Sequence, residues 1–217
     1  MEPTELTQAI SQTDFDLDGF ARQASADAAL RAEILRQMLT NDYIMVYYHC
    51  FYVLERVSET KPELLLPAWN DFVALLAHPN SYHRDFGLTL ISNLSGVVDR
   101  QRVLDVFEVY FACLRDPKYM TAWYCVRFAV KMLSSQPALG QMIVDRLLKL
   151  PADSRYPPKQ LALLQSEVLD ALEWAYLNLE DRAEYAHRIA AETNSLSPKT
   201  RKKAKEMLRR LNCQPTG

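Results

Sequence analysis

Ser197-Pro198-Lys199-Thr200-Arg201-Lys202-Lys203-Ala204-Lys205-Glu206-Met207-Leu208-Arg209-Arg210-Leu211 is the stretch that decides the fold. It opens with a serine, whose hydroxyl can accept an N–H of a first helical turn. A proline follows, tolerated there because its missing N–H would have no intrahelical partner. Ala204, Met207, Leu208 and Leu211 then recur at spacings of three, four and seven, the apolar stripe of an amphipathic helix.

The same stripe returns along the chain with a period of 37 to 39 residues. Leu211 aligns with Leu172, Leu133, Leu94 and Val57. Three residues earlier stand Leu208, Leu169, Val130, Ile91 and Leu54; one residue before those stand Met207, Val168, Ala129, Leu90 and Val53. Seven residues before the first column the side chains are mostly small: Ala204, Gln165, Val126, Gly87 and Cys50. Three apolar columns in register at one spacing mark an internal repeat. Its punctuation repeats as well, with Pro79, Pro117, Pro157 and Pro198 ahead of successive copies. Second helices are expected between them, at roughly 62–77, 100–115, 137–150 and 181–193. Their apolar residues keep helical spacing, as in Val103, Phe107, Phe111 and Leu114. Ser135 before Pro137 is expected to start one of them. A lone helix pair cannot bury its apolar face, whereas stacked pairs share one core. Leu90, Leu94, Val130, Leu133 and Leu169 are the predicted centre of that core.

With the 197–211 segment, His78-Pro79-Asn80-Ser81-Tyr82-His83-Arg84 and Arg115-Asp116-Pro117-Lys118-Tyr119, the chain resembles the HEAT/armadillo-type repeat family over about residues 41–212. The resemblance implies an all-α solenoid, a right-handed α-α superhelix of about five helix pairs. The expected division is an N-terminal cap at 1–40 and an array at 41–79, 80–117, 118–156, 157–197 and 198–212, all in one structural domain. Ser25-Ala26-Asp27 is expected to start a cap helix running to about Thr40, after one or two short helices and a turn. The family implies protein-interaction scaffolds most often and enzymes more rarely.

Composition fits this reading. The chain has 217 residues, 49% of them hydrophobic, and only five glycines. Its net charge of −2 is not that of a general nucleic-acid binder. The start, Met1-Glu2-Pro3-Thr4-Glu5, has neither the basic nor the apolar region of a signal peptide, and no run is long enough to span a membrane. Cys50, Cys113, Cys125 and Cys213 form no CxxC pair. Buried reduced thiols and a cytoplasmic location are the expectation.

Enzyme signatures are missing: there is no GxSxG, HExxH, Walker A or GxGxxG. His49, His78, His83 and His187 include no His-Glu dipeptide and no zinc-ligand set, so no catalytic residue, cofactor or metal is expected. Asp14-Phe15-Asp16-Leu17-Asp18-Gly19 matches the opening of a calcium loop, but its twelfth position is Ser25 where a bidentate glutamate is needed. An acidic turn between helices is the better reading. Trp69, Trp123, Trp174 and Asp170 are residue types that HEAT-like DNA glycosylases use. That family resemblance supplies an alternative function, set against the reading that these tryptophans belong to the core. Tyr43, Tyr47, Tyr48, Phe51 and Tyr52 are read either as an interface or as contacts to the N-terminal cap.

Charge is uneven. Residues 199–210 hold seven Lys and Arg against Glu206 alone, a net +6, which leaves the rest of the chain at −8. Nucleic-acid contact through Lys199, Arg201, Lys202, Lys203 and Lys205 is one reading; a solvated outer helix face is the other. In HEAT stacks the second helices line the concave surface, and here they carry Asp71, Asp105, Glu108 and Asp145 off the core face. Such a ridge selects a basic peptide or protein segment over phosphates. The leading expectation is therefore a non-enzymatic scaffold.

Overall fold

The computed structural model describes residues 3–150 and 155–212, and every regular element among them is helical. Twelve α-helices are present among the described residues: α1 (Pro3–Ile10), α2 (Leu17–Ala26), α3 (Ala28–Thr40), α4 (Ile44–Thr60), α5 (Trp69–Leu75), α6 (Ser81–Leu94), α7 (Arg100–Ala112), α8 (Tyr119–Ser135), α9 (Gly140–Leu148), α10 (Pro158–Asn178), α11 (Arg182–Ala191) and α12 (Pro198–Asn212). They form two compact units, Met1–Val98 and Asp99–Gly217.

In the first unit α4 is the hub, packed by α1, α2, α3 and α6. Val53, Leu54 and Val57, its three repeat-column residues, are completely buried. Gly87 shows why its column is small: a Cβ there would lie 2.8 Å from the Phe72 carbonyl oxygen and 3.0 Å from the Leu75 Cβ. Helices α5 and α6 approach more closely than any larger side chain allows. In the second unit α8, α10 and α12 lie side by side, with α9 against α8 and α10, and α11 against α10 and α12.

Leu90, Leu94, Leu133 and Leu169 are buried, as the column predicts. Val130 is not; it is half-buried, and so is Leu208 in the same column. On α8 the buried face is centred on Ala122, Cys125, Val126, Ala129 and Leu133, and Val130 falls about a quarter turn from that centre.

Local chemistry sets the helix ends. Ser197 accepts the Thr200 N–H at 3.2 Å, and Pro198 occupies the first position of α12. Asp27, not Ser25, caps α3 by accepting from Ala29 and Leu30; Ser25 belongs to α2 and its hydroxyl donates to Ala21. Ser135 ends α8 instead of starting a helix, because its hydroxyl bonds back to the Met132 carbonyl. The second helices at 62–77 and 137–150 begin as 3-10 turns, Pro62–Ala68 and Pro137–Leu139, each led by its proline. Pro79 and Pro117 stand in the turns, two residues before α6 and α8.

One device occurs at equivalent repeat positions, ten residues before the column leucine. Arg84 folds back from α6 to the carbonyls of His78 and Pro79, at 2.7 and 3.0 Å. Arg201 folds back from α12 to Ser195 and Leu196, at 2.7 and 3.3 Å. Each arginine closes the turn that introduces its own helix.

Candidate functional site

The acidic turn at Asp14–Gly19 is a helix cap. Asp16 accepts the Gly19 N–H at 2.8 Å, and a Cβ on Gly19 would collide with that carboxylate. No group of three or more His, Cys, Asp or Glu able to hold a metal occurs among the described residues. Three of the four histidines, His49, His78 and His83, make structural contacts, and His187 is exposed. His49 Nδ1 lies 2.6 Å from the Ile10 carbonyl, beneath the Phe15 ring. His83 Nε2 meets the Met38 carbonyl at 3.1 Å and its ring stacks on His78. Burial, with His78 beside it, holds the His83 pKa below its ordinary value.

The aromatic residues of α4 divide. Tyr47 and Phe51 are buried and face α6, Phe51 stacking on Phe86 with ring centres 4.0 Å apart. Tyr48 packs edge-on to Tyr82 and Phe86. His49 meets Phe15 of the N-terminal cap, and Tyr47 and Tyr48 pack in the α4–α6 seam; Tyr43 and Tyr52 are exposed.

Trp69 is buried. Trp174 is half-buried with its ring against Gly140, where any Cβ would strike it. Trp123 is half-buried beneath the Arg127 guanidinium. Asp170 is held by Lys203 at 2.6 Å. An aspartate tied to a lysine and an indole covering a glycine are occupied by the fold rather than presented to a base.

The basic segment is also partly committed. Lys199, Lys203 and Arg210 form a ladder with Glu167, Asp170 and Glu173 of α10, at 3.0, 2.6 and 2.5 Å. Arg127 adds a longer contact to Glu167 at 3.9 Å. Arg201 closes its turn. Of the five residues read as a nucleic-acid contact, Lys202 and Lys205 are exposed without an ion pair to α10, Lys202 lying 4.0 Å from Glu206, while Lys199 is exposed but paired with Glu167.

The four acids named from the second helices are all exposed. Asp71 lies on the rim of an apolar groove of about 270 Å³ between α3 and the Pro62–Ala68 turn, opposite Arg31. In the other unit Asp105 accepts from Gln101 and Asp145 from Gln141, both at 2.8 Å. Glu108 pairs with Arg146 of α9, whose guanidinium also lies over the Phe107 ring. Glu108 borders a small cleft with Phe111 and Arg146, and Asp145 borders a larger one between α9 and α11. Sequence reasoning missed that larger cleft. Glu180, Asp181 and Glu184 are visible as acids around a turn, but only the packing of α11 brings them opposite Asp145.

No family model matches the chain, and no curated protein matches it. Solved structures do. An engineered protein is 14% identical, with a TM-score of 0.59 over 99% of this chain and 100% of its own. A designed armadillo repeat protein is 12% identical, with a TM-score of 0.52 over 97% and 100%. A second designed armadillo repeat protein, solved in complex with peptide (KR)4, is 13% identical, with a TM-score of 0.53 over 96% and 99%. The fold is that of an armadillo-type, all-α solenoid. No helix is long and apolar enough to cross a membrane among the described residues.

Proposed function

We propose that this protein is a non-enzymatic repeat scaffold that binds a positively charged protein or peptide along its second-helix layer. With it goes the division into a cap at 1–40 and a repeat array at 41–212. The observation that carries the reading is the placement of the acids. In the unit Asp99–Gly217, Glu108 and Asp145 each border a cleft beside a second helix, and Asp105 lies one turn before Glu108; in the unit Met1–Val98, Asp71 borders a groove of its own. Clefts beside exposed carboxylates offer an extended basic chain both side-chain recesses and charge partners. The likeness to a designed armadillo repeat protein in complex with peptide (KR)4 supports the same kind of ligand.

Fluorescence anisotropy with a labelled (KR)4 peptide tests this. Binding is expected to weaken as salt rises, since exposed charges are screened over about 8 Å at physiological ionic strength. The double change Asp105→Lys, Glu108→Lys is expected to reduce it. Equal binding of (KR)4 and an acidic peptide of the same length would show that the acids do not select the ligand.

A further inference from the structure

We infer that two histidines latch the N-terminal helices α1–α3 onto the rest of their unit, and that acid opens this latch at His83, freeing α1–α3 while α4 and α6 stay folded. Both histidines reach the carbonyl end of an N-terminal helix. His49 of α4 meets the carbonyl of Ile10, the last residue of α1, at 2.6 Å, and Phe15 covers its ring. His83 of α6 meets the carbonyl of Met38, in the last turn of α3, at 3.1 Å. Neither histidine is more than 9% exposed. Each imidazole thus ties a helix of residues 3–40 to one that follows.

His83 cannot take up a proton in place without cost. The Met38 carbonyl accepts, so Nε2 carries the hydrogen of the neutral ring. Acid adds the second hydrogen at Nδ1, which is buried with no hydrogen-bond partner among the described residues. The new charge would have neither water nor an acceptor there. It would also lie in the first turn of α6, where the helix end is already partly positive.

The groups around the ring do not compensate. His78, from the turn before α6, stacks on it at 4.2 Å, and Tyr47 of α4 lies at 4.9 Å. Helix α3 turns the Met38 carbonyl to it, while Glu33 of that helix is taken by Arg36 and Gln37. On α6 itself Arg84 is bonded to the carbonyls of His78 and Pro79, and Asp85, two residues along the helix, points off the His83 face. Burial, with His78 beside it, accordingly holds the folded pKa below its ordinary value.

Separation on the α3 side is the route by which the charged ring reaches water. His78 and Phe86 belong to the same turn and helix as His83 and move with it, whereas Met38 belongs to α3. Lifting α3 also uncovers apolar surface on α4, where Cys50 is completely buried and close enough to Glu33 to feel its charge. Local opening of this kind leaves the remaining helices protected.

Hydrogen exchange of the full chain, followed by mass spectrometry between about pH 7 and 5.5 and corrected for the intrinsic exchange rate, tests the latch. Protection in α1–α3 is expected to fall relative to α4, α6 and α10, approaching tenfold per pH unit below about 6.5 until the folded pKa is reached. In the same samples an aromatic disulfide reagent active in acid is expected to label Cys50 ahead of Cys113 and Cys125. His83→Gln keeps an N–H for the Met38 carbonyl and has no proton to gain, so its relative protection is expected to stay flat. A pH-dependent loss surviving in folded His83→Gln would overturn the latch. So would a loss shared equally by α4 and α6, or unchanged protection of α1–α3; both are read on the wild type and stand even where the variant fails to fold.

Discussion

At Gly87 the absence of a side chain fixes the distance between two helices. Alanine there gains up to about 1 kcal/mol of helix propensity, but its Cβ would press on a backbone oxygen that has no rotamer to escape into. Gly87→Ala is therefore expected to lower the melting temperature; an increase would show that α5 can move away freely. His83 sets a pH dependence. Its folded pKa is depressed by burial, its Nε2 faces the Met38 carbonyl, and its Nδ1 is buried without a partner beside the neighbouring His78 ring. Above pH of about 6.5 the ring is neutral in both states and its contribution is fully present. As pH falls, the unfolded chain takes up the proton first, so stability drops toward the folded pKa. Urea unfolding between pH 7 and 5 should show this slope, and His83→Gln should flatten it. Cys50 illustrates a reading that composition alone supports: burial pushes its thiol up to about 12, leaving it inert. Cys213 lies outside the described residues.

At the scale of the helix, the repeat columns were legible because burial repeats with the period: one face of each first helix must meet the core. What the columns could not supply is how wide that face is on each helix. Val130 sits at its edge because α8 rotates toward Ala122 and Cys125. Capping was half legible for a similar reason. Ser197 is a capping residue in both sequence and structure, whereas Ser135 has a competing acceptor, the carbonyl three residues back, that a sequence does not rank. Helix α12 shows which interactions hold an element in place. Thr200, fully buried, donates to the Ala162 carbonyl at 2.6 Å. Thr200→Val keeps the shape and leaves that carbonyl short of a donor, which is expected to cost ~1 kcal/mol or more. Lys203→Met removes a partly solvated pair with Asp170 and a bond to the Ser166 carbonyl and is expected to cost about 1 kcal/mol or less. Chemical denaturation of the two variants ranks them, and a larger loss in Lys203→Met would mean the ion-pair ladder, not the buried hydroxyl, seats the helix.

For the whole chain, the charge distribution separates the two functional readings. Sequence showed the imbalance between residues 199–210 and the remainder, but not its fate. More than half of the cations on that segment turn out to be engaged by acids or carbonyls of the chain itself, which lowers what is available to a phosphate backbone. Removing residues 198–217 takes away the cations and uncovers Glu167, Asp170 and Glu173. Such a variant is expected to keep the helical signal of the earlier repeats, because contacts in a repeat array are local, and to have no affinity for duplex DNA. Tight, salt-sensitive DNA binding by it would revive the glycosylase reading. The acids of the α9–α11 cleft were out of reach of sequence reasoning because they come from a turn and a neighbouring helix about forty residues away.

Arg84 and Arg201 have a consequence for how such a chain can change length. In each, these bonds reach carbonyls five or six residues before the arginine, within the turn it closes. The closure is therefore inherited whole whenever a stretch of DNA encoding turn and helix together is copied. A duplicated or deleted stretch cut upstream of the turn leaves these turn-closing bonds intact. Growth or shrinkage by such units is then a single genetic step, and the spacing of about 39 residues is the length that such a step preserves.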